Sequence, residues 1–302
     1  MNNIFNIDNI NEFLDTEISK ITKSNEEKIK NILVLSGGGI KGICHIGALK
    51  ALQDLKKIDN IKTISGTSIG ALVGFLFSIG YSPDDLFNFI LLFDFKKLKP
   101  NPINVFEKYG IDNGDKFIVI MNQMLKTKNI DDKINFKQLY QKTGINLIIN
   151  ASCINDKQVY YFSHKTHPDM SVVLAVRMSI AVPIYFAPVI YDNKMFVDGG
   201  CIDNYPIQLF SDNLEHVIGI HLAGVKNNVT SIKNPEEFII NLVQCLQEGV
   251  SKNSIKGFEK QTINIITPGL NLLDLSIDNK KKQELYDCGY NTTVRTITNS
   301  AI

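Results

Sequence analysis

From residue 31 onward, short apolar runs of strand length alternate with longer stretches of helical apolar spacing. Residues 31–36 (Asn-Ile-Leu-Val-Leu-Ser) form one such run, and residues 62–65 form a shorter one. Each passes through glycines into a helical pattern: Ile43, Ile46, Leu49 and Leu52 after the first, Leu72, Phe75, Leu76 and Ile79 after the second. Ser82-Pro83-Asp84-Asp85 supplies a cap, a proline at the first helical position and acids in the first turn. It predicts a helix carrying Leu86, Phe89, Ile90 and Phe93 that ends near residues 96–100. Residues 96–135 read as a polar loop with one helix around 116–125. A strand pair is predicted at 146–154 and 158–163, joined by Asn155-Asp156-Lys157. Residues 171–181 predict a helix stopped by Pro183. Strand patterns return at 217–222 and 262–266 around a helix from 235 to about 250, and a last helix runs from about 279 toward 298. Strands alternating with helices predict an α/β fold with a mainly parallel sheet.

Composition narrows the class. The chain has 302 residues, 44% hydrophobic and 21% charged, which suits a globular protein with a sizeable core. A net charge of +1 argues against a nucleic-acid partner, which would require a basic stripe. The five cysteines are scattered, with neither metal-ligand spacing nor a disulfide framework, and predict a reducing compartment. In residues 1–30 six acids outnumber four lysines, and no signal-peptide pattern is present. The longest apolar stretch, 69–81, is broken by glycine and falls short of the ~20 residues a membrane span needs. A cytoplasmic location is therefore expected.

The candidate chemistry lies where the apolar runs turn into helices. Gly37-Gly38-Gly39-Ile40-Lys41-Gly42 follows the first run, and Gly66-Thr67-Ser68-Ile69-Gly70 follows the second, 24 residues on. A serine framed by glycines between strand and helix is held exposed near the positive end of a helix dipole. Three consecutive glycines let backbone N–H groups converge, because no Cβ blocks the approach of a ligand. Acyl transfer also needs a base, and Asp198-Gly199-Gly200, ending the apolar run 194–197, is the strongest downstream candidate. At an ordinary carboxyl pKa of ~3.9 it would be a poor base, so burial and close contact must raise it.

Other readings compete. Gly37, Gly39 and Gly42 satisfy a dinucleotide-binding fingerprint, but the second strand ends in Ser65-Gly66-Thr67-Ser68 where that fold places an acid. A phosphate loop would need Lys and Ser or Thr after Gly42, where Ile43 stands. His216 and His221 follow Asp198 in the order a Ser-Asp-His triad requires, although their apolar strand favours a structural role. His45 reads as structural, and His164 and His167 as exposed loop residues. Lys41 either meets a lipid phosphate or is solvated. Residues 91–99 mix aromatics with lysines as interfacial segments do.

Taken together, the blocks resemble the patatin-like phospholipases. The resemblance rests on Gly37–Gly42, Gly66–Gly70, Asp198-Gly199-Gly200, the segment 175–189 before the Asp motif, and Asp203-Asn204-Tyr205-Pro206 after it. Leu275-Ser276 followed by Lys280-Lys281-Lys282 and Gly289 is similar to that family's closing helix, so the likeness covers roughly 31–295 in order. Lys41 stands where many members have Arg, and Cys201 where an aliphatic residue is common. The resemblance implies a three-layer α/β fold with the sheet flanked by helices, in a catalytic domain over 31–298 behind an N-terminal extension. It implies a Ser68–Asp198 dyad without a catalytic histidine. An oxyanion loop at Gly37, Gly38 and Gly39 is implied too, with Gly38 and Gly39 as principal donors and the Ile69 N–H assisting. Gly42, Gly66, Gly70, Gly199 and Gly200 complete the motifs. The implied activity is hydrolysis of glycerophospholipid acyl esters at a transiently met membrane surface, with no metal or cofactor. A soluble-ester hydrolase, an inactive lipid-binding scaffold and dependence on a protein activator remain open.

Overall fold

The computed structural model describes residues 29–98, 109–224, 232, 235–267 and 276–299. The first 28 residues of the expected N-terminal extension lie outside this set. In chain order the first half holds β1 (Ile32–Leu35), α1 (Ile43–Asp54), β2 (Thr63–Gly66), α2 (Ile69–Ser78), α3 (Pro83–Leu92), β3 (Gly110–Asp112), α4 (Asp115–Thr127) and α5 (Phe136–Thr143). There follow β4 (Asn146–Cys153), β5 (Gln158–Phe162), α6 (Val172–Ser179), β6 (Ile184–Phe186), β7 (Val189–Tyr191) and β8 (Lys194–Asp198). The chain continues with β9 (Val217–Gly224), α7 (Pro235–Ser254), β10 (Thr262–Thr267) and α8 (Asn279–Asn299).

The main sheet runs β10-β9-β1-β2-β4-β8-β7, with β5 attached to β4. Its five strands from β10 to β4 are parallel, and β8, β7 and β5 add antiparallel pairs. Alternation along β1 separates two packed layers. Leu33 and Leu35 join the large core shared with α1, α2 and α8, while Val34 points the other way onto Tyr205, Ile207 and Val217. The expected α/β architecture with a mainly parallel sheet is what the chain forms.

Register decides where the motifs meet. Leu35 pairs with Gly66, so both glycine motifs leave the same end of adjacent parallel strands. Gly66 pairs with Ile149 of β4, and Ala151, two residues on, pairs with Asp198. The antiparallel β8 therefore delivers its last residue to the edge where β1 and β2 release theirs.

Two expectations need correction. The helix from Pro83 stops at Leu92, and Phe95–Leu98 forms a separate 3-10 turn. The buried Lys282 ammonium explains the break: it donates to the carbonyls of Phe93 (2.8 Å) and Leu91 (3.4 Å) and to Asn279 Oδ1 (3.0 Å), and lies over the Phe95 ring. Within 96–135 the helix is present, but β3 also forms and pairs with β6. A three-residue strand has too few positions to show a period, so only its partner reveals it.

Candidate active site

Ser68 caps the N-terminus of α2 with φ 54° and ψ −123°. Left-handed φ in a non-glycine residue stores on the order of 1–3 kcal/mol, and surrounding contacts must hold it. The Ser68 N–H donates to Ser179 Oγ at 2.8 Å. Neighbouring Thr67 donates through its hydroxyl to the Asp203 carbonyl at 3.2 Å, tying the turn to the segment after Asp198.

Asp198 is buried at the end of β8, anchored by its N–H to the Ala181 carbonyl at 2.8 Å. Its Oδ2 accepts the Ser68 hydroxyl at 2.6 Å, and its Oδ1 accepts the Gly200 N–H at 2.7 Å. Burial raises the carboxyl to about 6, against the opposing pull of the Ser68 and Gly200 hydrogen bonds. A carboxylate so tuned is ionised near neutrality yet basic enough to share a serine proton.

The loop at 37–39 packs directly against this pair. A Cβ on Gly37 would lie 2.3 Å from Asn204 Oδ1 and 3.4 Å from Ser68 Cβ, so a larger residue there would have to displace the Asn204 amide. Gly39 has φ 55°, a conformation that side chains disfavour. The three N–H groups are not equivalent. Gly37 donates to the Asn204 carbonyl at 3.0 Å, whereas those of Gly38, Gly39 and Ile69 have no protein acceptor among the described residues. Gly38, Gly39 and Ile69 are the donors left for a ligand; Gly37 shapes the loop.

Beside Ser68 opens a cavity walled almost wholly by carbon. It runs from Gly39 and Ser68 along Ile69, Leu72, Val73 and Leu76 of α2, with α3 and α4 opposite. Phe89 and Phe93 close one side, Met121 and Met124 another.

The remaining candidates sit elsewhere or are already committed. His221 Nδ1 bonds Asn264 Oδ1 and its Nε2 bonds Ser251 Oγ, both at 2.9 Å, so neither ring nitrogen serves Ser68. His45 is fully buried, bonds the Ser36 carbonyl at 2.8 Å and is pushed by burial down to about 4, hence neutral. His216, half-buried, bonds the Ile29 carbonyl. His164 and His167 are half-buried rather than free in a loop, stacking on Tyr140 and meeting Phe162 edge-on. Lys41 is buried rather than solvated: desolvation lowers its pKa, opposed by the charge of Glu248. Burial pushes the Cys201 thiol up to about 12, leaving it unreactive. Among the described residues no group of three or more His, Cys, Asp or Glu is placed to hold a metal ion. Sequence reasoning missed Ser179 as the acceptor for the Ser68 N–H, and it gave Asn204 no role. Asn204 lay within the recognised Asp203-Asn204-Tyr205-Pro206 block, but only the fold shows what it touches.

The family model of the patatin-like phospholipases matches residues 33–211. An uncharacterized protein of Acanthamoeba polyphaga mimivirus is 33% identical over 90% of this chain and 95% of its own length. A protein of Invertebrate iridescent virus 6 named "Probable lipid hydrolase 463L" is 31% identical over 84% of each. Among solved structures, VipD from Legionella pneumophila superposes with a TM-score of 0.67 at 19% identity, over 90% of this chain and 67% of that one, a likeness of fold. With a family model over more than half of the chain and relatives above 30% identity along most of its length, the chain belongs to the patatin-like phospholipase family, a group of lipid hydrolases.

Proposed function

We propose that the protein is a phospholipase A or lysophospholipase that cleaves fatty-acyl esters with a Ser68–Asp198 dyad. The observation that carries the reading is the 2.6 Å hydrogen bond from the Ser68 hydroxyl to a buried carboxylate, at the head of a carbon-lined cavity. Ser68 Oγ attacks the ester carbonyl as Asp198 Oδ2 takes its proton. Charge developing on the carbonyl oxygen is met by the free N–H groups of Gly38, Gly39 and Ile69. The tetrahedral intermediate collapses, Asp198 returns the proton to the departing alcohol, and an acyl-Ser68 ester remains. Water then attacks that ester, giving its proton to Asp198. Release of the fatty acid restores the Ser68 hydroxyl.

The cavity supports a lipid substrate over a short soluble ester, because carbon walls reward each added methylene by about 0.8 kcal/mol. The lipid itself lies in an aggregate, so the enzyme would work at a phospholipid surface it visits transiently. Among the described residues no helix is long and apolar enough to cross a membrane. Labelling with an alkyl fluorophosphonate, followed by peptide mass mapping, tests the reading. The adduct is expected on Ser68 and absent from Asp198→Asn; an adduct on another serine would refute it.

A further inference from the structure

Asn204 stands between the two halves of the site. Its carbonyl accepts the Gly37 N–H at 3.0 Å, fixing the glycine loop. Its side-chain Oδ1 fills the space into which a Cβ on Gly37 (2.3 Å) or on Gly200 (2.6 Å) would project. One amide therefore wedges the oxyanion loop apart from the Asp198-Gly199-Gly200 turn. The wedge is itself held: Asn204 Nδ2 donates to Ser251 Oγ of α7 at 3.2 Å. Proton directions along the chain follow from its far end. Asn264 Oδ1 can only accept, so His221 Nδ1 carries the hydrogen. Nε2 then accepts the Ser251 hydroxyl, whose oxygen remains free to accept from Asn204. Burial lowers the His221 pKa, against the opposing pull of its hydrogen bonds, which favours the neutral form that this order needs.

We infer that Asn204 is a positioning residue that sets the distance between the oxyanion donors and the Asp198 carboxylate, with Ser251 and His221 locking its amide. The inference rests on the hydrolase reading above. It gives the buried His221 a part in catalysis without making it a base. It also couples α7, which stands outside the three motifs, to the geometry of the reacting centre.

A misplacement of about 1 Å costs on the order of 100-fold in rate, so the wedge should act on kcat more than on KM. The test is p-nitrophenyl ester hydrolysis, with melting temperatures, for wild type, Ser68→Ala, Asn204→Ala, Ser251→Ala, Ser251→Thr and the Asn204→Ala/Ser251→Ala double variant. Expected is a fall in kcat of about 100-fold for Asn204→Ala and about tenfold for Ser251→Ala, the size of one hydrogen bond. KM should move little. Ser251→Thr, which keeps the hydroxyl, should recover most of the loss. The double variant should be no slower than Asn204→Ala, because Ser251 acts through Asn204. Losses that multiply in the double variant would overturn the inference, as would wild-type kcat in a folded Asn204→Ala. Should Asn204→Ala fail to fold, wild-type kcat in Ser251→Ala overturns it equally. A wild type with no Ser68-dependent hydrolysis would overturn the hydrolase reading, and the inference with it.

Discussion

Replacing Asp198 by Asn should abolish activity and stabilise the fold at neutral pH. In the unfolded chain this carboxyl titrates near its ordinary 3.8; in the folded protein burial raises it to about 6. Between those values the folded state holds a proton that the unfolded state has released, so stability falls as pH rises through the window. Well below pH 3.8 both states are protonated and the effect vanishes. Above pH 6 the difference reaches about 3 kcal/mol, the free energy of keeping a desolvated charge beside Ser68. Asn is neutral at every pH and can keep both contacts, its oxygen toward Gly200 and its amide toward Ser68. For a domain of this size the gain corresponds to about 5 °C in Tm. Calorimetry of wild type and Asp198→Asn from pH 3.5 to 8 measures it. The variants should melt nearly together at pH 3.5 and separate as pH rises. Equal melting temperatures at pH 8, or a gap that widens toward acid, would refute the burial argument.

Other expectations follow from the same geometry. Because Asp198 must be ionised to accept a proton, kcat/KM should fall on the acid side with a midpoint near pH 6, read from a rate profile on a soluble ester. Ser68→Gly should melt higher than Ser68→Ala, by about 1–2 kcal/mol in unfolding free energy, because only glycine tolerates φ 54° without strain. From Ser68 to Leu76 the cavity follows eight residues of α2, ~12 Å at 1.5 Å per residue, room for about nine methylenes of an extended chain. In a p-nitrophenyl ester series kcat/KM should therefore rise roughly fourfold per methylene up to that length and then level off. Leu76→Trp should bring the plateau to shorter chains while leaving short esters unaffected.

The parts of this protein legible in the sequence were those where local chemistry and the fold agree. Ser82 and Asp85 form a reciprocal cap that announces α3, and the elbow glycines mark a turn that β-carbons would obstruct. Asp198 was visible because it ends an apolar run before two glycines. What stayed hidden depends on residues distant in sequence. Asn204, Ser251 and His221 form one chain although 47 and 30 positions separate its links. Lys282 sits in a run of three lysines, and nothing in that run sets it apart, yet it is buried against the carbonyls that end α3. Periodicity also misleads along α7, where Phe238, Leu242 and Leu246 recur every fourth residue as a core face would, and all three are exposed. The lysine-bearing segment after Leu92 keeps Lys96 and Lys97 exposed beside half-buried Phe93 and Phe95, while Lys99 lies outside the described residues.

Fatty-acid release from phospholipid vesicles, in the presence of EDTA, tests the dyad most directly when wild type is set beside Ser68→Ala, Asp198→Asn and His221→Ala. Release should vanish in the first two variants and fall only about tenfold in the third, which loses its bonds to Ser251 and Asn264, of which only the former reaches the residue that holds Asn204. A folded His221→Ala as inactive as Ser68→Ala, or an Asp198→Asn that still turns over, would contradict a Ser–Asp mechanism.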